Sequence, residues 1–341
     1  MKVLVTGHQG YIGTVMVPML LAEGFDVVGL DSDLYRYCTY GDNPVEVPTI
    51  QKDVRDVTAA DLEGIDAVVH LAALSNDPLG NINPDLTYDI NHHASVSIAK
   101  AAKEAGASRF VFASSCSMYG KAGDDVLDET AEFNPVTAYA KSKVLVEQEV
   151  ASMASDDFSP TFMRNATAYG VSPRMRFDLV INNLVAWALT TGKIFMKSDG
   201  TPWRPLVHIE DISLAVICAL KAPRDVAHNL AVNVGSNTEN YQMRDLAQMV
   251  KDTVPNCEIE YAEGASADER CYRVNFDKIR QVFPDFKPQW TALKGVQQCY
   301  QSYTQHGLNK DDYEGIKYKR IAHIKHLIAE GELSNELRWL I

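Results

Sequence analysis

No Cys-x-x-Cys pair and no His/Cys group at metal-ligand spacing occur in these 341 residues. The six cysteines (38, 116, 218, 257, 271 and 299) are scattered, which excludes a zinc module and a disulfide framework and suits a reducing compartment. No apolar run reaches the roughly 18 residues needed to cross a bilayer, and the opening "MKVLVTG" runs straight into a strand-like stretch. The expectation is a soluble, cytoplasmic protein. Positive charge is scarce too. A formal net charge of −13 argues against a nucleic-acid or anionic-membrane surface, though it permits a local basic pocket. Repeats and low-complexity segments are absent, and 46% hydrophobic with 23% charged residues leaves no case for disorder.

What is present alternates. "KVLVT" (2–6), "DVVGLD" (26–31), "DAVVHLAA" (66–73), "RFVFASS" (109–115) and "SPTFMRNA" (159–166) read as buried parallel strands. Residues 11–23, 85–105 and 136–154 between them have helical periodicity. That alternation predicts an α/β fold, a doubly wound parallel sheet of Rossmann type. Further on the pattern predicts helices at 178–189, 210–220, 291–306 and 313–329, and a short strand near 194–197. The expected division is a dinucleotide-binding domain over 1–170 with a return segment at about 207–235. A smaller α/β substrate part covers 171–206 and 236–341.

"VTGHQGYIG" sets Gly7, Gly10 and Gly13 between the first strand and the first helix. The first allows a sharp turn, the second a close approach to a pyrophosphate, the third packing of helix on strand. Asp31 ends the second strand, where a carboxylate accepts the adenosine ribose hydroxyls and repels a 2′-phosphate. The nearest arginine, Arg36, is five residues on, so NAD is favoured over NADP. Asp53 has two readings, a contact to adenine or an ordinary loop aspartate.

Tyr139-x-x-x-Lys143 in a helical stretch puts both side chains on one face. A phenol of pKa near 10 is a weak base at neutral pH. A lysine ammonium beside it, with the positive nicotinamide, favours the phenolate. "FASSCSMYG" (112–120) ends the preceding strand at the carboxyl edge of the sheet, where ligands of such folds bind.

Gly-x-x-Gly-x-x-Gly, "HLAA" (70–73), Asn91 in "TYDINHHAS" and "YAKSK" (139–143), in this order, resemble the extended short-chain dehydrogenase/reductase family. The likeness is nearest to its nucleotide-sugar epimerases and dehydratases and runs to about residue 300. It implies that Ser115 orients the reacting oxygen beside Tyr139 and Lys143. The cofactor side would comprise Gly7, Gly10, Tyr11, Ile12, Gly13, Asp31, Asp53, Val54, Leu71, Ala72, Ala73, Asn91, Ser114, Tyr139, Lys143 and Asn165. The substrate side, for a nucleotide-diphosphate sugar, would comprise Ser115, Ser117, Thr167, Arg176, Asn182, Arg204 and Arg270, in a homodimer. Arg204 and Arg270 align with phosphate-contacting arginines of that family, while a salt bridge to a neighbouring acid is the competing reading for Arg176.

Departures from the family pattern narrow the chemistry. Dehydratases of the family carry Asp-Glu after the catalytic hydroxyl, where this chain has Cys116 and Ser117, which disfavours 4,6-dehydration. Thr167 stands where most relatives have asparagine. The loop "DSDLYRYCTYGDNP" (31–44) and the tail beyond 307 are unfamiliar, and the tail reads as an amphipathic basic helix serving as surface cap or dimer contact. The resemblance favours an NAD-dependent epimerase acting through a keto-sugar. A keto-sugar reductase, a dehydrogenase of a small hydroxy compound and a non-catalytic NAD sensor stay open.

Overall fold

A computed structural model describes residues 1–75, 84–120, 125–266 and 271–340, apart from the side chains of 264–266. In chain order the strands are β1 (Lys2–Thr6), β2 (Asp26–Asp31), β3 (Thr49–Gln51), β4 (Ala67–His70), β5 (Arg109–Ser115), β6 (Val126–Leu127) and β7 (Ser159–Asn165). Then come β8 (Thr167–Tyr169), β9 (Lys193–Ser198), β10 (Trp203–His208), β11 (Leu230–Val234), β12 (Asn240–Gln242), β13 (Glu258–Ser266) and β14 (Arg273–Val274). Seven of them form one sheet, in the order β11-β7-β5-β4-β1-β2-β3, with every pair parallel.

Alternation along β1 explains the two layers of helix around it. Val3 and Val5 pack with Met16, Leu20, Ile212 and Val216 on one face. Leu4 packs with Ile98, Ala102, Val146 and Val150 on the other. The helices concerned are Gly13–Ala22 and Ile209–Lys221 on the first side, Ala94–Glu104 and Ala138–Ala151 on the second. Strands buried on both faces have no use for polar alternation, hence runs such as "VLV" and "AVVH". The chain leaves β1 for β2 and β3 on one side, then crosses to β4 on the other. That reversal opens a crevice at the carboxyl ends of β1 and β4.

β11 returns to the large sheet beside β7. The remaining strands make three small sheets, β12-β10-β8, β13-β9 and β14-β6. A third core, with Tyr169, Phe177, Leu184, Ile194, Leu246, Val296 and Tyr303, joins the first two of these to the helices Val180–Thr191, Met243–Thr253 and Ala292–Gln305, while Val274 of β14 and Leu127 of β6 pack in the core of Val3 and Val5. β10 and β13 had no counterpart in the sequence pattern.

The tail differs from the single helix expected at 313–329. It forms Lys310–Glu314 and Arg320–Ala329, interrupted where Gly315 turns extended and buried Tyr318 packs edge-on to Tyr40 and Phe177. Nor do its basic residues all face solvent. Arg320 is buried, with its guanidinium 3.5 Å from the Tyr35 ring centroid. Ile324, Leu327, Leu333 and Leu337 join the core that contains Leu4 and Leu30, so the tail caps its own chain. Among the described residues no helix is long and apolar enough to cross a membrane, and no His/Cys/Asp/Glu group could hold a metal ion.

Candidate active site

One cavity of about 1490 Å³ runs along the carboxyl edge of the sheet into the C-terminal part. That exceeds the roughly 300–1,000 Å³ usual for a single small molecule. It is lined by Gly7, Gly10, Tyr11, Ile12, Gly13, Asp31, Asp53, Val54, Leu71, Ala72 and Ala73 at one end. Ser114, Ser115, Ser117, Tyr139, Lys143, Asn165, Thr167, Arg176 and Arg204 follow.

The glycine turn is built as its spacing requires. Gly7 has φ 73°, and a Cβ on it would stand 2.8 Å from the Ala72 nitrogen. A Cβ on Gly13 would come within 2.4 Å of the Gly7 oxygen, so the helix packs on the turn only without one. That helix starts with no side-chain cap, an arrangement suited to an anion. Asp31 accepts from the Gln9 amide at 2.9 Å and the Asp33 amide at 2.8 Å, tying the strand end to the glycine turn. Burial raises its carboxyl above the usual range, opposed by these amides and by His8.

Thr137 caps the helix Ala138–Ala151, which carries Tyr139 and Lys143, by accepting from the Ala140 amide at 3.1 Å. One turn inside, Lys143 is 2% exposed and donates to the Ala113 carbonyl over 2.6 Å. Its ammonium lies 5.6 Å from the Tyr139 ring centroid. Burial pulls its pKa down to about 7, and Glu147 one turn along opposes the shift. Glu147 is itself held by Arg164, in a buried ion pair at 2.8 Å.

Ser115 ends β5 and accepts from the Ser117 amide at 3.2 Å, which starts the short turn Cys116–Tyr119. Two buried polar atoms in this part of the lining have no partner among the described residues, Ser117 Oγ and Asn165 Oδ1. Atoms left so are usually satisfied by a ligand or ordered water, which fits a polar cofactor and substrate. Cys116 turns the other way. It is fully buried, its Sγ lies 3.1 Å from the Arg164 carbonyl oxygen, and burial pushes its thiol far up. It is a core filler, not an acid.

Some residues expected to touch ligand do not line the cavity. Asn91 is fully buried in a π-helical turn (Asp89–His93), accepting from the Leu74 amide at 2.7 Å and donating to its carbonyl at 3.0 Å. It holds the wall formed by residues 71–75. Asn182 is likewise buried, accepting from Gly170 N and donating to Tyr11 Oη and the Arg176 carbonyl, all at 3.0 Å. Its neighbour Asn183 reaches the cavity instead. Arg176 lines the cavity but forks onto Asp178 at 3.1 and 2.6 Å and donates to Ser75, so the ion pair named as its competing reading is formed, by a buried guanidinium on an exposed aspartate. Asp53 is forked by Arg55 at 2.9 and 2.7 Å and caps the turn Val54–Asp56. Arg270 lies outside the described residues.

The lining also contains residues that no motif announced, among them Phe177, Trp187, Phe195, Lys197 and Tyr272. The tail contributes Tyr313, Lys319, Arg320, Lys325 and Leu337. Only aromatic and basic enrichment in "KYKRIAHIKH" could have signalled the latter.

A glycine turn with an acidic strand end and a Tyr139–Lys143 pair whose lysine is buried, on one crevice, defines a nicotinamide-dependent enzyme of extended short-chain dehydrogenase/reductase type. The chain belongs to the NAD dependent epimerase/dehydratase family, whose model matches residues 3–235. It is 30% identical over 77% of its length to a UDP-glucose 4-epimerase of Lactobacillus helveticus, covering 84% of that protein. It is 25% identical to a dTDP-D-glucose 4,6-dehydratase of Bos taurus, over 89% of this chain and 88% of that one. In fold it is similar to MoeE5, solved in complex with UDP-glucuronic acid and NAD, with a TM-score of 0.79 at 24% identity. That match covers 90% of this chain and all of the other.

Proposed function

We propose that the protein is a nucleotide-sugar epimerase that inverts a carbon, C4, through a transient keto-sugar. Both similar enzymes named above act on nucleotide sugars by their names, so the choice lies between epimerisation and dehydration. The observation that carries the choice is the turn after Ser115. Its next residue, Cys116, faces the core, and the one after is Ser117, so neither carboxylate needed to expel a hydroxide is present.

NAD, when bound, supplies reversible hydride acceptance. The chain's own residues move the proton and hold the sugar. Tyr139 takes the hydroxyl proton, assisted by Lys143 at one end and by Ser115 hydrogen-bonded to the same oxygen. A hydroxyl both donates and accepts, so Ser115 follows that oxygen from alcohol to ketone and back. Asn165 and Ser117, with unpartnered buried atoms, hold the nicotinamide side and the sugar respectively. Arg204 on β10 faces the diphosphate, and Thr167 stands where an amide is more usual, leaving room for a differently substituted sugar.

The test is product analysis. UDP-, dTDP-, GDP- and CDP-hexoses are incubated with protein carrying NAD in deuterated buffer and followed by proton NMR. The expected product is the 4-epimer, without net change in NAD and without deuterium in the sugar. A 6-deoxy-4-keto product carrying deuterium at C5, the carbon that loses its proton in the elimination and regains one from solvent, identifies a dehydratase. Stoichiometric consumption of NADH with a keto-sugar identifies a reductase.

A further inference from the structure

The residues 333–339 form a tight turn that inserts into the dinucleotide half of the molecule. Ser334 N donates to the Arg338 carbonyl at 2.8 Å, and Leu337 N to the Ser334 carbonyl at 3.0 Å. Leu337 at its tip is 4% exposed and has φ 58°, a left-handed conformation that leucine rarely adopts. Such backbone needs support from its surroundings, and the support is specific. Trp339 Nε1 donates to the Ser32 carbonyl at 2.6 Å, and the Arg36 guanidinium lies 3.6 Å over the Trp339 ring. Arg338 pairs with Asp56, and Arg55 donates to the Glu336 carbonyl at 2.9 Å.

Apart from Arg36, the anchors stand beside residues read as holding adenosine. Ser32 follows Asp31, and Arg55 and Asp56 follow Asp53 and Val54. Leu337 itself lines the large cavity, and with Ser32 and Asp53 it also lines a smaller adjoining one of about 500 Å³. An apolar side chain lining the same cavity as Val54 and the carboxylates of Asp31 and Asp53 suits a flat base whose amine and ribose hydroxyls are donors.

We propose that the turn Leu333–Trp339 is part of the dinucleotide site: it closes the adenosine end, Leu337 packs against the adenine, and the cofactor is held between turnovers. The inference rests on the reading of this cavity as the NAD site. A redox-neutral enzyme returns its cofactor to the starting state in each cycle, so retention costs it nothing. An enzyme that must exchange oxidised for reduced cofactor is slowed by the same turn.

The experiment compares parent, Leu337→Ala and Trp339→Ala, stripped of cofactor, by calorimetric titration with NAD, ADP-ribose and nicotinamide mononucleotide, and by the rate of NAD release. Losing part of one buried apolar contact predicts about tenfold weaker NAD and ADP-ribose binding, carried by faster release. Binding of nicotinamide mononucleotide should stay within about twofold, a change too small to reflect a lost contact. ADP-ribose affinity unchanged in both folded variants overturns the proposal. Hydrogen exchange on the parent decides the matter if neither variant folds. Amides of residues 333–339 should slow with ADP-ribose and not with the mononucleotide, and no slowing with ADP-ribose overturns the proposal. A parent that binds neither NAD nor ADP-ribose overturns the cofactor reading, and this inference with it.

Discussion

Lys143 Nζ donates to the carbonyl of Ala113 over 2.6 Å, and Ala113 stands two residues before Ser115 on β5. The bond fastens the helix that carries Tyr139 to the strand that carries Ser115. One buried ammonium therefore fixes the spacing of the two hydroxyls proposed as catalytic and, on that proposal, the field on the phenol.

Removing the phenolic hydroxyl tests the proton relay. Tyr139→Phe keeps the ring and its packing, so turnover should fall by about 10²–10⁴-fold with NAD content unchanged. Rate measurement on protein of matched NAD content checks this. A variant as fast as the parent shows that the base lies elsewhere.

The low pKa of Lys143 has a consequence for stability. Its folded value of about 7 lies below the ordinary 10.5, so between these two pH values the unfolded chain binds the extra proton. Stability from this group therefore rises as pH rises from about 7 towards 10, and the burial penalty is complete below 7. Cofactor-free Lys143→Met should gain most over the parent at pH 6, with the gain shrinking towards pH 10. Thermal melts across that range read it directly. A difference independent of pH contradicts a buried, titrating ammonium.

Asn182 was expected at the ligand and is found bracing it. Asn182→Ala removes an acceptor for Gly170 N and a donor shared by Tyr11 and Arg176 in a fully buried place. Leaving such groups unpaired costs roughly 1–3 kcal/mol each, so a loss of about 2–4 kcal/mol is expected in denaturant unfolding. Asn183→Ala, in a half-buried place, removes donors to the Phe177 carbonyl and the Tyr313 hydroxyl, so it should cost less stability than Asn182→Ala and alter substrate KM. The reverse pattern would restore the original reading.

This contrast marks how far the sequence carries. Gly7, Gly13, Asp31, Tyr139 and Lys143 were legible because each belongs to a short motif whose spacing is its function. Adjacent helical residues point about 100° apart, so choosing between Asn182 and Asn183 needs a helix register that the apolar pattern "DLVINNLVAWAL" leaves open. The fork of Arg176 onto Asp178 sits in a loop and has no periodic signature. The tail was harder still. Leu337 shares a cavity with Ser32 and Asp53, and Trp339 bonds to Ser32, across some three hundred positions, and no local rule reports a contact between segments so far apart. The one available hint was complementarity, aromatic residues in "DLYRYCTY" against Arg and His in "KRIAHIKH".

The substrate's charge gives the remaining prediction. On the proposed reading a protein of net charge −13 accepts a diphosphate, and Arg204 on β10 lines the cavity that also holds Tyr139 and Lys143, close in sequence to Lys197 of β9, which lines it too. A guanidinium can fork two phosphate oxygens, each bond charge-assisted. Arg204→Ala should weaken binding of the nucleotide sugar by roughly 1.5–3 kcal/mol, while NAD, bound at the other end, keeps its affinity. Thermal shift separates the two ligands. A compound at 100 times its dissociation constant stabilises by about 2.7 kcal/mol, so the parent's shift with the sugar should largely vanish in the variant, and the shift with NAD should persist. Loss of both shifts means that the substitution has disturbed the fold. Retention of both means that the diphosphate is held elsewhere, and the search moves to Lys197 and the basic tail.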